Sequence, residues 1–209
     1  GTPDGVVDGF SGFISATLSW DTRDDEVVPH RGFFQEWSYE SARNSLLGLF
    51  FEQIDFSRIT LTNAYYIPLS ARWNFSHRMV VETLSGAVPL YAYGEIGGSR
   101  RVKGLGGSDS LRGFDTQRFT DDTRFFSNAE LRYQIYTMVF YRQDIECLGA
   151  VFFDAGRVWP DLDQIGLSGM HISGGGEIRL VWDADFVIRV GLGRGGEQTN
   201  LWLSLGQNF

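Results

Sequence analysis

Phe126-Ser127-Asn128-Ala129-Glu130-Leu131-Arg132-Tyr133-Gln134-Ile135-Tyr136 alternates so regularly that it reads as a β-strand with two unlike faces. Asn128, Glu130 and Arg132 fall on one face; Ala129, Leu131, Tyr133 and Ile135 fall on the other. A soluble barrel turns such an aliphatic face inward and its charges outward. A membrane barrel does the reverse. The neighbouring segments decide between the two.

Towards the C-terminus, Leu148 to Trp159 sets Phe152, Asp154 and Gly156 opposite Val151, Phe153 and Ala155. Met170 to Trp182 sets Ser173, Gly175, Glu177 and Arg179 opposite Ile172, Ile178, Leu180 and Trp182. After the short turn Asp183-Ala184-Asp185, Phe186, Ile188, Val190 and Leu192 oppose Arg189, Gly191 and Gly193. A last segment sets Leu201, Leu203, Leu205 and Phe209 against Ser204 and Gly206. The faces that carry the ions also carry the glycines. Glycine gains nothing on a solvated face, but in a crowded lumen it makes room for larger neighbours. The pattern therefore predicts charged and small residues inside and aliphatic and aromatic residues outside, with Trp20, Trp159 and Trp182 at strand ends as interfacial girdles.

Towards the N-terminus the same period recurs. Ile14, Ala16, Leu18 and Trp20 alternate with serines and threonine from Phe13 onward. Gly32 to Ser41 places Phe33, Trp37 and Tyr39 opposite Glu36, Ser38 and Glu40, a third strand runs from about Gln53 to Leu69, and a rougher fourth from Asn74 to about Ser85. Residues 1–9 read as a flexible polar leader, and 10–209 as one barrel domain.

Composition agrees with an all-β chain. Its 209 residues hold 26 glycines, five prolines and 15% aromatics. No apolar run reaches helical membrane-spanning length. A mean hydropathy of -0.15 cannot separate a soluble barrel from a membrane one, because alternating faces cancel. A formal charge of -8 argues against a nucleic-acid partner. Cys147 is the only cysteine, so no intrachain disulfide is expected. His30, His77 and His171 lack metal-ligand spacing and no serine sits in a G-x-S-x-G elbow, so neither an enzyme nor a metal or other cofactor is expected. Small catalytic barrels exist, but no motif here points to one.

Between the fourth and fifth segments lies the longest stretch without a strand pattern, Val88 to Thr120, and within it Gly106-Gly107-Ser108-Asp109-Ser110-Leu111-Arg112-Gly113-Phe114. A long loop with a glycine pair and one arginine is more often functional than decorative. This nonapeptide resembles the conserved loop motif of the BamA/TamA-like outer-membrane assembly barrels. Asp21-Thr22-Arg23-Asp24 followed by Pro29-His30-Arg31-Gly32, the Phe152-x-Asp154-x-Gly156 motif and the terminal Phe209 resemble that family in the same order. The resemblance implies a loop folded back into the lumen, with Arg112, Gly113 and Phe114 meeting Glu130, Asp154 and Gly156, and Phe209 acting as a biogenesis signal. The residues lead to the same place. Two carboxylates on consecutive polar faces would repel each other in one cavity unless a guanidinium fork bridged them. Gly97-Gly98-Ser99-Arg100-Arg101-Val102-Lys103-Gly104 is longer and more basic than the resembled loop; it reads as a solvated loop, or else one that packs or meets lipopolysaccharide phosphates.

Nine strand-like segments are too few for the family's usual barrel of about sixteen strands, so an antiparallel transmembrane barrel of about eight is expected, without the family's periplasmic domains. The odd segment leaves three arrangements: a first strand outside the barrel, an imperfect closure, or a homodimer through barrel edges. The resemblance implies residence in the Gram-negative outer membrane, with its lipids and nascent outer-membrane proteins as partners. It implies a role in inserting other barrels or handling lipid by local membrane perturbation. A structural scaffold barrel and a protein translocation pore are the alternatives.

Overall fold

The structure, a computed structural model, describes residues 13–42, 55–183, 186–196 and 198–206. The leader at 1–9 and Phe209 lie outside these, as does most of the loop after the second strand. Nine strands form one sheet in strict chain order: β1 (Ile14–Asp21), β2 (Gly32–Ser41), β3 (Asp55–Pro68), β4 (Trp73–Ala87), β5 (Thr123–Phe140), β6 (Gln143–Trp159), β7 (His171–Trp182), β8 (Phe186–Gly195) and β9 (Thr199–Leu205). Every neighbouring pair is antiparallel, and among the described residues no pairing joins β1 to β9. All nine segments are thus members of one curled antiparallel sheet of the membrane-barrel type, in which the described residues of β1 and β9 are not paired with each other.

The alternation sorts the side chains as the charged faces demand. Glu36, Arg78, Glu130, Asp154, Glu177, Arg179 and Arg189 are buried, whereas Leu18, Trp37, Ile59, Val151, Ile178, Val190 and Leu203 are exposed. A chain that hides arginines and displays leucines is built for hydrocarbon outside and pairing inside. The buried face is concave: residues of one loop touch side chains from β2 to β8, as described below.

Three details differ from the sequence pattern. β5 and β6 run past the expected ends because they close a hairpin through Tyr141 and Arg142, both at positive φ (48° and 70°). That is the backbone of a type I′ turn, whose usual glycine or asparagine is missing here, so no turn signal marks it. Trp159 is not an exposed girdle residue; it falls in the same outward phase of β6 as Val151 and Phe153 but is buried, at 4% exposure, with the Arg157 guanidinium 5.7 Å from its ring. The aromatic belt instead gathers at the opposite end. There Trp20, Phe33 and Tyr65 lie side by side on β1, β2 and β3, and Trp73 meets Tyr133 at 4.7 Å.

That belt marks the end with the tight turns 69–72 and 141–142; the long connections 88–122 and 160–170 lie at the other end. In bacterial barrels short turns face the periplasm and longer loops the exterior. The β1–β2 turn is the exception at the tight end, because it folds inward. Asp25 Oδ1 accepts the amides of Val27 and Val28 (2.8 and 2.6 Å), and Asp24 Oδ1 those of His30 and Arg31 (2.9 and 3.1 Å). So braced, Val28 reaches across to Leu148, Val181 and Val187 on β6, β7 and β8 and closes part of that mouth.

Val151 stands midway along β6 on the outward face. The substitution Val151→Arg is expected to cost about 2–4 kcal/mol in urea unfolding from lipid vesicles, the penalty of a charge at mid-bilayer. A solvated face would register within about 0.5 kcal/mol, and that result would overturn the orientation.

Candidate functional site

The site is built where the β4–β5 loop (88–122) enters the lumen. Gly106 and Gly107 turn it, both at positive φ (114° and 93°); a Cβ on Gly106 would stand 2.2 Å from the carbonyl oxygen of Asp115. The Gly107 amide donates to the Phe114 carbonyl (2.9 Å), and Ser110 Oγ accepts the Gly106 amide (2.8 Å), so the tip is a closed knot. It projects Arg112 against β5, β6 and β7.

Arg112 is fully buried. Its Nε and Nη2 form a fork on Asp154 Oδ2 and Oδ1 (2.9 and 2.6 Å), and its backbone amide donates to Oδ2 as well (3.1 Å). Nη1 donates to Glu130 Oε1 at 2.5 Å. The guanidinium also lies over the Phe152 ring, 3.7 Å from its centroid. Register explains the meeting: Asn128 faces Asp154 and Glu130 faces Phe152 across β5–β6, and Asp154 faces Ser173 across β6–β7. Asn128 Nδ2 and Ser173 Oγ complete the Asp154 shell (2.7 and 3.4 Å).

Glycine on neighbouring strands provides the space. A Cβ on Gly156 would press on Leu111 at 3.1 Å, and one on Gly113 would strike the Gly195 amide at 2.2 Å. Phe114 sits one residue further out, edge-on to Phe119 (5.2 Å) and His171 (5.9 Å). The six lumen residues expected from the sequence therefore occupy one contiguous site.

The cluster is larger than the sequence suggested. Arg179 Nη2 and Arg132 Nε donate to Glu130 Oε2 (2.6 and 2.8 Å), and Arg179 also pairs with Glu177. Three guanidiniums face three carboxylates, so the buried charge balances. Burial works against the Arg112 charge, but the adjoining Asp154 and Glu130 carboxylates reverse this and hold it above the ordinary arginine range. Nearby, Arg189 Nη2 reaches Asp109 Oδ1 at the loop tip (2.9 Å).

A second anchor escaped the sequence reading altogether. Arg58 Nη2 and Arg124 Nη2 both donate to the Ala92 carbonyl (2.7 and 3.2 Å), at the centre of the short 3-10 helix Leu90–Gly94. Glu82 Oε2 accepts the Gly97 amide (2.5 Å), Glu36 Oε1 the Ser99 amide (2.9 Å), and Glu40 Oε1 the Arg101 guanidinium (2.8 Å). Tyr93 donates to Asp122 (2.5 Å); burial first, and then that carboxylate, push its hydroxyl up to about 12. The Gly97–Gly104 stretch is therefore tied to the wall at Gly97, Ser99 and Arg101, while Ser99, Arg100, Arg101 and Lys103 stay exposed. The available signal was Arg58, Glu82 and Arg124 on inward phases of adjacent strands, but their partners are backbone groups of the loop, which periodicity cannot place.

Replacing Arg112 by alanine would leave Asp154 and Glu130 buried without their central cation. A loss of about 3–5 kcal/mol is expected from urea unfolding in detergent, with a smaller loss for Arg112→Lys, which keeps the charge but not the fork. A change below about 0.5 kcal/mol would show that the loop is not held by this residue.

The sequence matches the family model of the Omp85 superfamily domain over residues 9–182. No curated protein matches it. Among solved structures it is similar to BamA from Haemophilus ducreyi lacking POTRA domains 1-3, at 14% identity and a TM-score of 0.63, over 92% of this chain and 42% of that one. That likeness speaks for the fold, and the chain spans less than half the length of that BamA chain. The family match covers most of the sequence, and the family is one of assembly and translocation barrels, in general not of enzymes. The chain belongs to the Omp85 superfamily, as a BamA/TamA-like barrel of the bacterial outer membrane.

Proposed function

We propose that this barrel eases the insertion of other outer-membrane proteins, or the movement of lipid, by disturbing the bilayer at the seam between β1 and β9. One observation carries the reading. The strands flanking the seam are the two shortest, at 8 and 7 residues, whereas β3 to β6 have 14 to 18. A transmembrane strand needs about 9–11 residues, so the apolar belt is shallow where the sheet is unsealed, and lipid must thin to meet it. Unpaired N–H and C=O groups along that seam are costly in hydrocarbon. An incoming strand or a polar headgroup relieves that cost. In this reading Arg112, Glu130 and Asp154, with Gly113, Phe114 and Gly156 around them, lock the loop and keep the barrel in shape while the seam works.

A second reading is a scaffold barrel without assembly activity. The charge-balanced cluster favours it, since a fully satisfied network braces as well as it switches. A translocation pore is disfavoured by the lumen, which the loop and the β1–β2 turn both enter.

The test reconstitutes the full chain in liposomes and follows two rates: insertion of a urea-unfolded small barrel, and scrambling of a fluorescent lipid. At least one should rise several-fold over protein-free liposomes. Arg112→Ala should remove the gain while circular dichroism still reports a folded barrel. Neither rate rising would refute the proposal, and loss of folding alone in the variant would favour the scaffold.

A further inference from the structure

The outward phase of a membrane barrel should be apolar, and on β6, β7 and β8 it is. Between 145–155, 172–180 and 186–192 it holds only aliphatic, aromatic and glycine residues and the thiol of Cys147. The wall from β2 to β5 breaks the rule. On its outward phases stand Gln35, Asn63, His77 and Ser127, each half-buried among exposed neighbours such as Trp37, Leu61 and Tyr65.

Register joins them into one row. Trp20 of β1 faces Gln35, Gln35 faces Asn63, Asn63 faces Met79 and Met79 faces Ser127. His77, two residues from Met79, closes the row, because its Nε2 and Ser127 Oγ share a hydrogen bond of 2.9 Å. Gln35 and Asn63 make no side-chain hydrogen bond to a described residue. The row also slants through the bilayer. Gln35 is two residues past Phe33 of the aromatic belt, His77 four past Trp73, and Ser127 six before Tyr133. At about 3.4 Å per residue and a tilt near 45°, these lie about 5, 10 and 14 Å from the belt, the last close to the middle of a hydrocarbon layer about 30 Å thick. Further along β4, Thr83 shares a hydrogen bond with Thr123 (3.3 Å), and one apolar cross-strand pair, Val81 and Phe125, lies between it and the row.

A side-chain amide without a partner is costly in hydrocarbon, and polar residues at membrane depth mark the paths of polar cargo. We propose that this row is a track for phospholipid headgroups. As a lipid crosses between leaflets, Gln35, Asn63, His77 and Ser127 donate in turn to its phosphate and ester oxygens, while its acyl chains stay in the bilayer beside the wall. The two amides each carry N–H donors, and whichever of His77 and Ser127 donates to the other, the pair keeps one donor free. The track opens opposite Trp20 on β1, so a headgroup enters it from the tight-turn end, beside the seam. The inference rests on the lipid-moving part of the proposed function and names its route.

The experiment places the full chain in phosphatidylcholine liposomes with a trace of acyl-labelled fluorescent phosphatidylcholine, reads scrambling by dithionite quenching, and runs the barrel-insertion assay beside it. Gln35→Leu and Asn63→Leu add apolar surface to a lipid-facing wall and strand no described side-chain partner, so both should fold. Each should scramble about three- to tenfold more slowly than wild type, the effect of losing one hydrogen bond inside a membrane, with insertion unchanged. Asn63→Ser, which keeps a donor, should recover most of the rate. Wild-type scrambling in both leucine variants overturns the track and leaves the proposed function standing. So does slower insertion with scrambling unchanged, which would make the row a contact for a polar protein segment. Equal loss of both rates overturns it as well, since that marks a damaged barrel. A wild type that inserts barrels without scrambling lipid overturns the track alone; one that does neither overturns the proposed function with it.

Discussion

A guanidinium inside a barrel must find its counter-charge, and most of this molecule follows from that demand. Arg112 cannot stay in a dry lumen alone, since stripping an ion of water costs several kcal/mol. Asp154 and Glu130 meet it, but Glu130 then draws Arg132 and Arg179, and Arg179 requires Glu177. The chain of pairing ends only when charges balance across β5, β6 and β7. The glycines belong to the same demand: Gly156 admits Leu111, and Gly195 admits Gly113, so the loop can come close enough for its arginine to reach the wall. Buried ion pairs are a poor source of net stability. What this one supplies is a unique seat for a 35-residue connection, from 88 to 122, that would otherwise have many.

The fold was legible because a period of two survives any register. Once Asp154, Glu177 and Arg189 share faces with glycine, their orientation follows without knowing which residue stands opposite which. The family motif then placed Arg112 near Glu130 and Asp154. Depth along the strand was harder to read. Trp159 keeps the outward phase of β6 expected of a girdle residue yet is buried at the strand's end, and period alone does not announce that. Tyr141-Arg142 turns a hairpin without glycine or asparagine, so both strands were read too short.

The second anchor was illegible for a deeper reason. Arg58 and Arg124 donate to the carbonyl of Ala92, and Glu82 and Glu36 accept amides of Gly97 and Ser99. Every residue supplies such backbone groups, so sequence carries no mark of the ones chosen. Only the folded path of the loop selects them. The cations of the basic Gly97–Gly104 stretch are exposed, as its composition suggests; what the composition could not announce is that Gly97, Ser99 and Arg101 also reach carboxylates on β2 and β4.

Two anchors make a different object from one. Were Arg112 the sole attachment, its release would free the loop to leave the lumen as a unit. With Ala92 and Gly97 tied to β3, β4 and β5 and the tip tied to β5, β6 and β7, the loop instead braces five consecutive strands from inside as a strut. Freeing one end leaves the other seated. The seam between β1 and β9, unpaired among the described residues, then has a counterweight: β1 and β2 are held towards β6, β7 and β8 from inside, by Val28 at the tight-turn end, while the strut braces the middle strands. A barrel so braced can leave one edge pair unmade without unrolling. That separation, a stiff interior beside an unpaired edge, is what the proposed insertion role would ask of the fold.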